Sequence, residues 1–219
     1  MVVKNQKHVF WQALLVAMLI FFFGMLIGAL VENFRTQRVD YLYLDSQVDL
    51  MDLRLQSDLF SDFNLDCELA VKKNVEFADR IYWEARTLED YDSSSKISDE
   101  LKIAHKRYDI LRTMLWVNSI KIKENCDDSF HTVVYLYDYE DTPIQTKSFQ
   151  NVFSKIALDL KEKRGNEILL IPIATDLQVD SLDLLMAKYN ISEVPCLLID
   201  EKYQITELMS VEEVENLLK

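Results

Sequence analysis

The sequence predicts an α/β protein in four parts. A short N-terminal segment (residues 1–8) leads into a transmembrane helix (9–31), then a helical stalk and antiparallel helical hairpin (32–127). A C-terminal domain (128–219) follows, with elements in the order β-α-β-α-β-β-α. Three observations carry this reading. A run near the N-terminus has no charge, the next hundred residues hold long helical periodicities, and the last ninety alternate short apolar runs with amphipathic segments.

Residues 9–31 (VFWQALLVAMLIFFFGMLIGALV) are uncharged. At 1.5 Å per residue such a helix spans roughly 35 Å, enough for a hydrocarbon core of about 30 Å. A cleaved signal peptide has a shorter apolar region and a small-x-small site, for which Gly28-Ala29-Leu30 is a poor match, so an uncleaved anchor is expected. Phe10 and Trp11 fall at one interface, as in an aromatic belt. Gly24 and Gly28 form a GxxxG pair, a pattern that allows a homodimer through this helix and also occurs in single spans. Lys4 and Lys7 precede the span, whereas Arg35 and Arg38 behind it are offset by Glu32 and Asp40. That bias places the N-terminus in the cytoplasm and the large domain outside it. The chain carries a net charge of -13, and the first 31 residues hold two lysines and no acid, so the remainder is at -15. So acidic a surface argues against nucleic acid or anionic lipid as the partner.

Residues 31–59 lack Pro and Gly and carry Tyr41, Leu44, Val48, Met51, Leu55 and Leu59 near heptad spacing. The stripe is expected to pack against the protein's own helices, with a second copy as the alternative. A turn is expected near residues 61–64, helices over 65–88 and 98–125, and a polar loop at 90–95. Cys67 starts this hairpin and Cys126 ends it. Antiparallel helices of similar length bring those ends together, as a disulfide requires; two buried free thiols are the other reading. An extracytoplasmic domain would permit the bond.

In the C-terminal part, 131–139 (HTVVYLYDY) is a β-branched and aromatic run, and 147–163 carries Phe149, Val152, Phe153, Ile156 and Leu160 at helical spacing. Residues 168–174 (ILLIPIA) form an almost wholly apolar strand, 181–189 a second helix, 196–199 and 205–209 a hairpin, and 211–218 a closing helix. Strands apolar on both faces imply a sheet covered by helices on each side. Residues 189–199 (YNISEVPCLLI) take the chain from a helix end through a polar turn to Val194-Pro195 and a strand. This order, with Pro195 opening the third strand, resembles the minimal thioredoxin fold, in which a Val-Pro or Ile-Pro bond at this point is cis. The resemblance also shows a departure. Redox-active relatives have Cys-x-x-Cys after the first strand, where this chain has Asp141-Thr142-Pro143-Ile144. A carboxylate cannot exchange disulfides, and Asp141 and Thr142 are read as helix-capping residues. Cys196 stands where thioredoxin-like relatives often have Thr, and reads as a small buried filler with no cation nearby to activate it.

Other chemistry is not indicated. His8, His105 and His131 are scattered without metal-ligand spacing, and Gly165 is the only glycine beyond residue 31, so no glycine-rich phosphate loop exists. Acidic pairs such as Asp127-Asp128, Glu140-Asp141 and Glu212-Glu213 read as solvated faces and caps. No metal and no cofactor is expected. The expectation is a membrane-anchored, redox-inactive binding or chaperone-like module for an unknown protein or peptide client. By the resemblance its groove would be formed by Asp141, Thr142, Pro143, Ile144, Val194 and Pro195, and an acidic rim at Asp138, Glu140 and Asp141 would favour basic peptides. Two alternatives stand beside it: a thiol-disulfide accessory using Cys196 or the Cys67/Cys126 pair, and a structural stalk that dimerises.

Overall fold

The computed structural model describes residues 6–62, 66–92, 99–126, 130–140 and 142–218, and divides into two compact units, Met1–Leu44 and Asp45–Lys219. The first helix, α1 (Gln6–Asp62), contributes to both. In the first unit Val9–Phe34 is long and apolar enough to cross a membrane and none of it is buried within the protein. A side chain built at Gly24 or Gly28 would meet nothing within 4 Å.

In the second unit the end of α1 is followed by α2 (Cys67–Asp92) and α3 (Asp99–Asn125). Leu53 is fully buried, Asp49 receives the Arg80 guanidinium at 2.7 Å, Asn118 Nδ2 donates to the Leu53 carbonyl at 3.3 Å, and Lys121 donates to Ser57 Oγ at 2.7 Å. This overturns the expected packing face. Of the stripe read from the sequence, Leu44, Val48, Met51 and Leu55 are all more than half exposed, whereas the buried side carries Asp49, Leu53 and Ser57. Polar residues qualify for that side because α2 and α3 supply partners for each. Helix α2 also runs through Asp90 and Tyr91 to Asp92, beyond the expected loop start, since neither residue type breaks a helix. Cys67 and Cys126 form a disulfide across the open end of the hairpin, with Cα atoms 5.4 Å apart.

The chain then forms β1 (His131–Tyr137), α4 (Ile144–Arg164), β2 (Ile168–Ala174), α5 (Asp180–Lys188), β3 (Cys196–Ile199), β4 (Tyr203–Ile205) and α6 (Val211–Glu215), with 3-10 turns at Gly165–Glu167 and Asn216–Leu218. The four strands make one mixed sheet in the order β2-β1-β3-β4, with β1 parallel to β2 and antiparallel to β3, and β3 antiparallel to β4. Successive strand residues point to opposite faces, and here both faces are apolar. Val134, Leu136, Leu169, Ile171, Ile173, Cys196 and Leu198 enter one core with Ile81 of α2, Leu111 and Leu115 of α3, and Leu182 of α5. Val133, Tyr135, Ile168, Leu197 and Ile199 enter a second with Phe153 and Leu160 of α4 and Val214 of α6. The helical hairpin therefore forms one wall of the sheet's own core.

The strand expected at 205–209 lies earlier, at Tyr203–Ile205. Its position follows from a tight turn in which Asp200 and Glu201 both take left-handed φ (49° and 58°) and Lys202 N-H donates to the Ile199 carbonyl at 3.0 Å. Two non-glycine residues in this region cost of order 1 kcal/mol each, and the contacts that offset this belong to the site. Helix α6 opens with a capping box: Ser210 Oγ accepts from Glu213 N-H while the Glu213 carboxylate accepts from Ser210 N-H.

Candidate functional site

The loop that carries Pro195 is set by the way α5 stops. Asn190 takes a left-handed φ of 54°, its N-H donates to the Ala187 carbonyl, and Ile191 N-H donates to the Met186 carbonyl at 2.9 Å. This is the Schellman arrangement with Asn, the usual substitute for Gly, at the left-handed position. Buried Ile191 packs back into the first core with Met186. The chain is thereby turned toward the sheet, and the Val194-Pro195 bond is cis immediately before β3.

Opposite lies the connection from β1 to α4, at the carboxyl end of β1, where open α/β sheets place their ligands. Its backbone is held from the neighbouring strand: the Asp176 carboxylate accepts from Tyr139 N-H (2.9 Å) and Glu140 N-H (2.6 Å), and Thr175 Oγ1 donates to Asp138 Oδ1 at 2.9 Å. Thr142 does not cap α4 as expected. Its hydroxyl points back and donates to the Glu140 carbonyl at 2.8 Å, and Pro143, which has no accepting side chain, occupies the cap position. Asp141 lies outside the described residues. Ile144 is 75% exposed at the first turn of α4.

Between these two segments is a concave site of about 420 Å3, where Val194 and Pro195 meet Gln145, Thr146 and Phe149 of α4, with Glu193 and Thr206 at its border. Of the residues expected from the sequence, Val194 and Pro195 line it; Thr142, Pro143 and Ile144 stand before the helix turn that does. The expected acidic rim is redistributed. Glu140 pairs with Lys102 at 2.9 Å and Asp138 is engaged by Thr175, leaving Glu193 as the carboxylate that borders the depression among the described residues.

A buried polar cluster stands behind the loop. Lys123 Nζ of α3 lies 2.6 Å from Asp200 Oδ1 and 3.3 Å from Glu201 Oε2. His131 Nδ1 is 2.7 Å from Asp200 Oδ2, Thr132 N-H and Oγ1 donate to Asp200 and Glu201, and Trp116 Nε1 donates to Glu201 Oε1 at 2.9 Å. Burial works to raise the Asp200 pKa, but the hydrogen bonds and charges of Lys123 and His131 outweigh it and hold the carboxyl below its ordinary value. The cluster fixes the strained turn and orients Trp116, whose ring stacks on Tyr189 at 5.5 Å. Gln204 Nε2 donates to the Tyr189 carbonyl, so the end of α5 is clamped from both sides.

Cys196 is fully buried, and burial pushes its thiol up to about 11. At neutral pH it is a protonated, inaccessible thiol, the opposite of what exchange chemistry needs. Cys67 and Cys126 are bonded to each other. Among the described residues no group of three or more His, Cys, Asp or Glu is placed to hold a metal. What the site offers is shape: a recess beside a strand end, lined by Phe149, Val194 and Pro195 together with the polar Gln145, Thr146, Glu193 and Thr206. Sequence reasoning missed Phe149, Thr146 and Thr206, which reach the recess only through tertiary packing and carry no local signal.

Comparison with protein-family models, with curated proteins and with solved structures returned no significant match.

Proposed function

We propose that residues 128–219 form a redox-inactive thioredoxin-like domain, tethered by the N-terminal helix on the extracytoplasmic side of a membrane. In this reading it binds an extended segment of a protein client in the recess between the start of α4 and the Val194-Pro195 loop. The observation that carries the proposal is the sheet order β2-β1-β3-β4, with β3 antiparallel and entered through Pro195 beside the first turn of α4. The cis state of Val194-Pro195 agrees with it. Position 141 is aspartate, and Cys196 is buried and protonated, which favours binding over exchange chemistry. The Cys67–Cys126 bridge supports the oxidising side of the membrane, because cytosolic thiols are kept reduced. Main-chain pairing at the strand end would supply affinity, and the Phe149 and Thr146 recess would select side chains.

The test is site-specific photocrosslinking from position 144 in native membranes, with and without Val194→Arg, and with a control crosslinker at Leu184, which is 74% exposed on α5. The proposal expects adducts from position 144 that Val194→Arg abolishes and that position 184 does not form. Identical adduct patterns with and without the substitution would overturn the groove assignment.

A further inference from the structure

The helical hairpin covers the side of α1 that carries Asp49, Leu53 and Ser57, all buried. The other side is apolar and open. Val48, Met51 and Leu55 are 65%, 73% and 57% exposed, and Leu44, the last residue of the first unit, is 60% exposed. Single exposed apolar residues are ordinary on a protein surface, whereas an aligned set marks a contact. Positions 44, 48, 51 and 55 are separated by four, three and four residues. With 48 and 55 at the a positions of a heptad, 44 and 51 fall at d, and the buried 49, 53 and 57 fall at b, f and c. The two sides of α1 thus answer to different partners.

Spacing, tether and size together select the occupant of the open side. A four-three-four repeat keeps an apolar seam facing a second helix of the same repeat, each a or d side chain entering a hole made by four residues of its neighbour. The stripe also belongs to the same helix as the apolar span Val9–Phe34, from which residues 35–47 separate it. With that span in a bilayer, every copy of the chain leaves the membrane on the same side and carries the stripe at the same distance along α1. A second copy therefore meets it parallel and in register, at an effective concentration raised by confinement to one membrane. Size works in the same direction. Four side chains from each copy fall short of the roughly 1,200 Å2 at which freestanding interfaces begin, so a partner arriving from solution is held poorly and a membrane-confined one is favoured.

We infer that two copies of this chain pair in parallel along α1, with Leu44, Val48, Met51 and Leu55 as the seam and the helical hairpin of each copy on the outside. The seam ends at the next d position, which is the exposed Asp58, where two carboxylates would meet. The inference rests on the membrane tether of the proposed function and is independent of the recess at Val194.

Single cysteines introduced into the full chain and oxidised with copper phenanthroline in the protein's own membranes test the pairing. Val48→Cys, Met51→Cys and Leu55→Cys are compared with Asp52→Cys, exposed on the same helix, and Leu184→Cys, 74% exposed on α5. Cys67 and Cys126 are bonded to each other and Cys196 is buried, so a linked dimer reports the introduced thiol. Linkage at 48, 51 and 55 is expected to exceed that at 52 and 184 by about tenfold, because a and d side chains face their counterparts across the seam. Val48→Glu with Leu55→Glu should lower linkage from Met51→Cys by about tenfold or more, since like charges then meet in the seam. These side chains serve association and not the fold of one chain, so the same pair of glutamates should leave thermal unfolding of the dilute monomer in detergent unchanged. In a chain that carbonate leaves in the membrane, equal linkage at all five positions, or linkage at 51 unaffected by the glutamates, would overturn this inference alone. A chain that carbonate extracts would overturn the tether, and with it both this inference and the membrane placement.

Discussion

Replacing Lys123 with methionine tests how the helical hairpin, the strained turn and the recess are coupled. The Lys123, Asp200 and Glu201 side chains are only 10%, 14% and 12% exposed, and among the described residues the ammonium is the one cation bonded to both carboxylates. Its removal leaves two nearly buried carboxylates without that partner, for which a loss of about 3 to 5 kcal/mol is expected, a large part of a typical domain stability of about 5 to 15 kcal/mol. The dependence on pH gives the sign. With Lys123 present the Asp200 carboxyl titrates below its ordinary value, so its contribution to stability is complete above the unfolded value of 3.8 and is lost as pH falls through the lower folded value. Without Lys123, burial is opposed only by the hydrogen bond and charge of His131, so the folded value rises from that of the wild type and acid removes less favourable interaction from the variant. The destabilisation by Lys123→Met should therefore be greatest at pH 7 and smaller at pH 4. Guanidinium unfolding followed through the fluorescence of Trp116, which is buried and bonded to Glu201, gives both values. A loss below about 1 kcal/mol at pH 7, typical of an exposed ion pair, or an equal loss at both pH values would refute the reasoning.

Three further outcomes follow from the same structure. Opening the Cys67–Cys126 bridge, which spans 59 residues, should lower stability by about 4 kcal/mol in the chain-entropy model, read as a shift of the denaturant midpoint between the wild type and the Cys67→Ser, Cys126→Ser double variant. Asp109 is pushed up to about 6 by burial, against the pull of Arg112 and of the Ala174 N-H. Its folded value exceeds the unfolded 3.8, so its contribution is complete below about pH 4 and is lost as pH rises through about 6, by up to about 3 kcal/mol, and Asp109→Asn should remove that slope from stability measured between pH 4 and 7. Leu53→Ala should cost about 2 to 5 kcal/mol, whereas Met51→Ala, at a position 73% exposed, should cost less than about 0.5 kcal/mol; the reverse order in thermal unfolding would restore the packing face read from the sequence.

Much of the sheet was legible because its strands are short and apolar on both faces. β2 coincides with the ILLIPIA run end for end, and α5 is displaced by one residue from the expected 181–189. The disulfide was legible from antiparallel geometry, since Cys67 and Cys126 bracket helices of similar length. The buried side of α1 was not: Asp49 and Ser57 look solvent-facing until Arg80 and Lys121 are placed beside them. Nor was the β3–β4 turn, because Asp200-Glu201 lacks the Asn-Gly signature of such turns and is held by residues from α3 and β1 that are distant in sequence. In the recess, Val194 and Pro195 were found through the proline itself, while Phe149 and Thr206 depend on how α4 and the segment after β4 pack. The alternating Tyr135, Tyr137 and Tyr139 were read only as strand formers; all three, with Arg112 of α3, line a cavity of about 620 Å3 between α2 and α4.

The central claim, a redox-inert binding domain on the oxidising side of a membrane, is tested most directly by a cysteine map of the protein taken from its own membranes with free thiols trapped at lysis. The account predicts a Cys67–Cys126 bridge and an unmodified Cys196 that is labelled only after denaturation. Three free thiols would contradict the extracytoplasmic placement, and a mixed disulfide on Cys196 would contradict the redox-inert one.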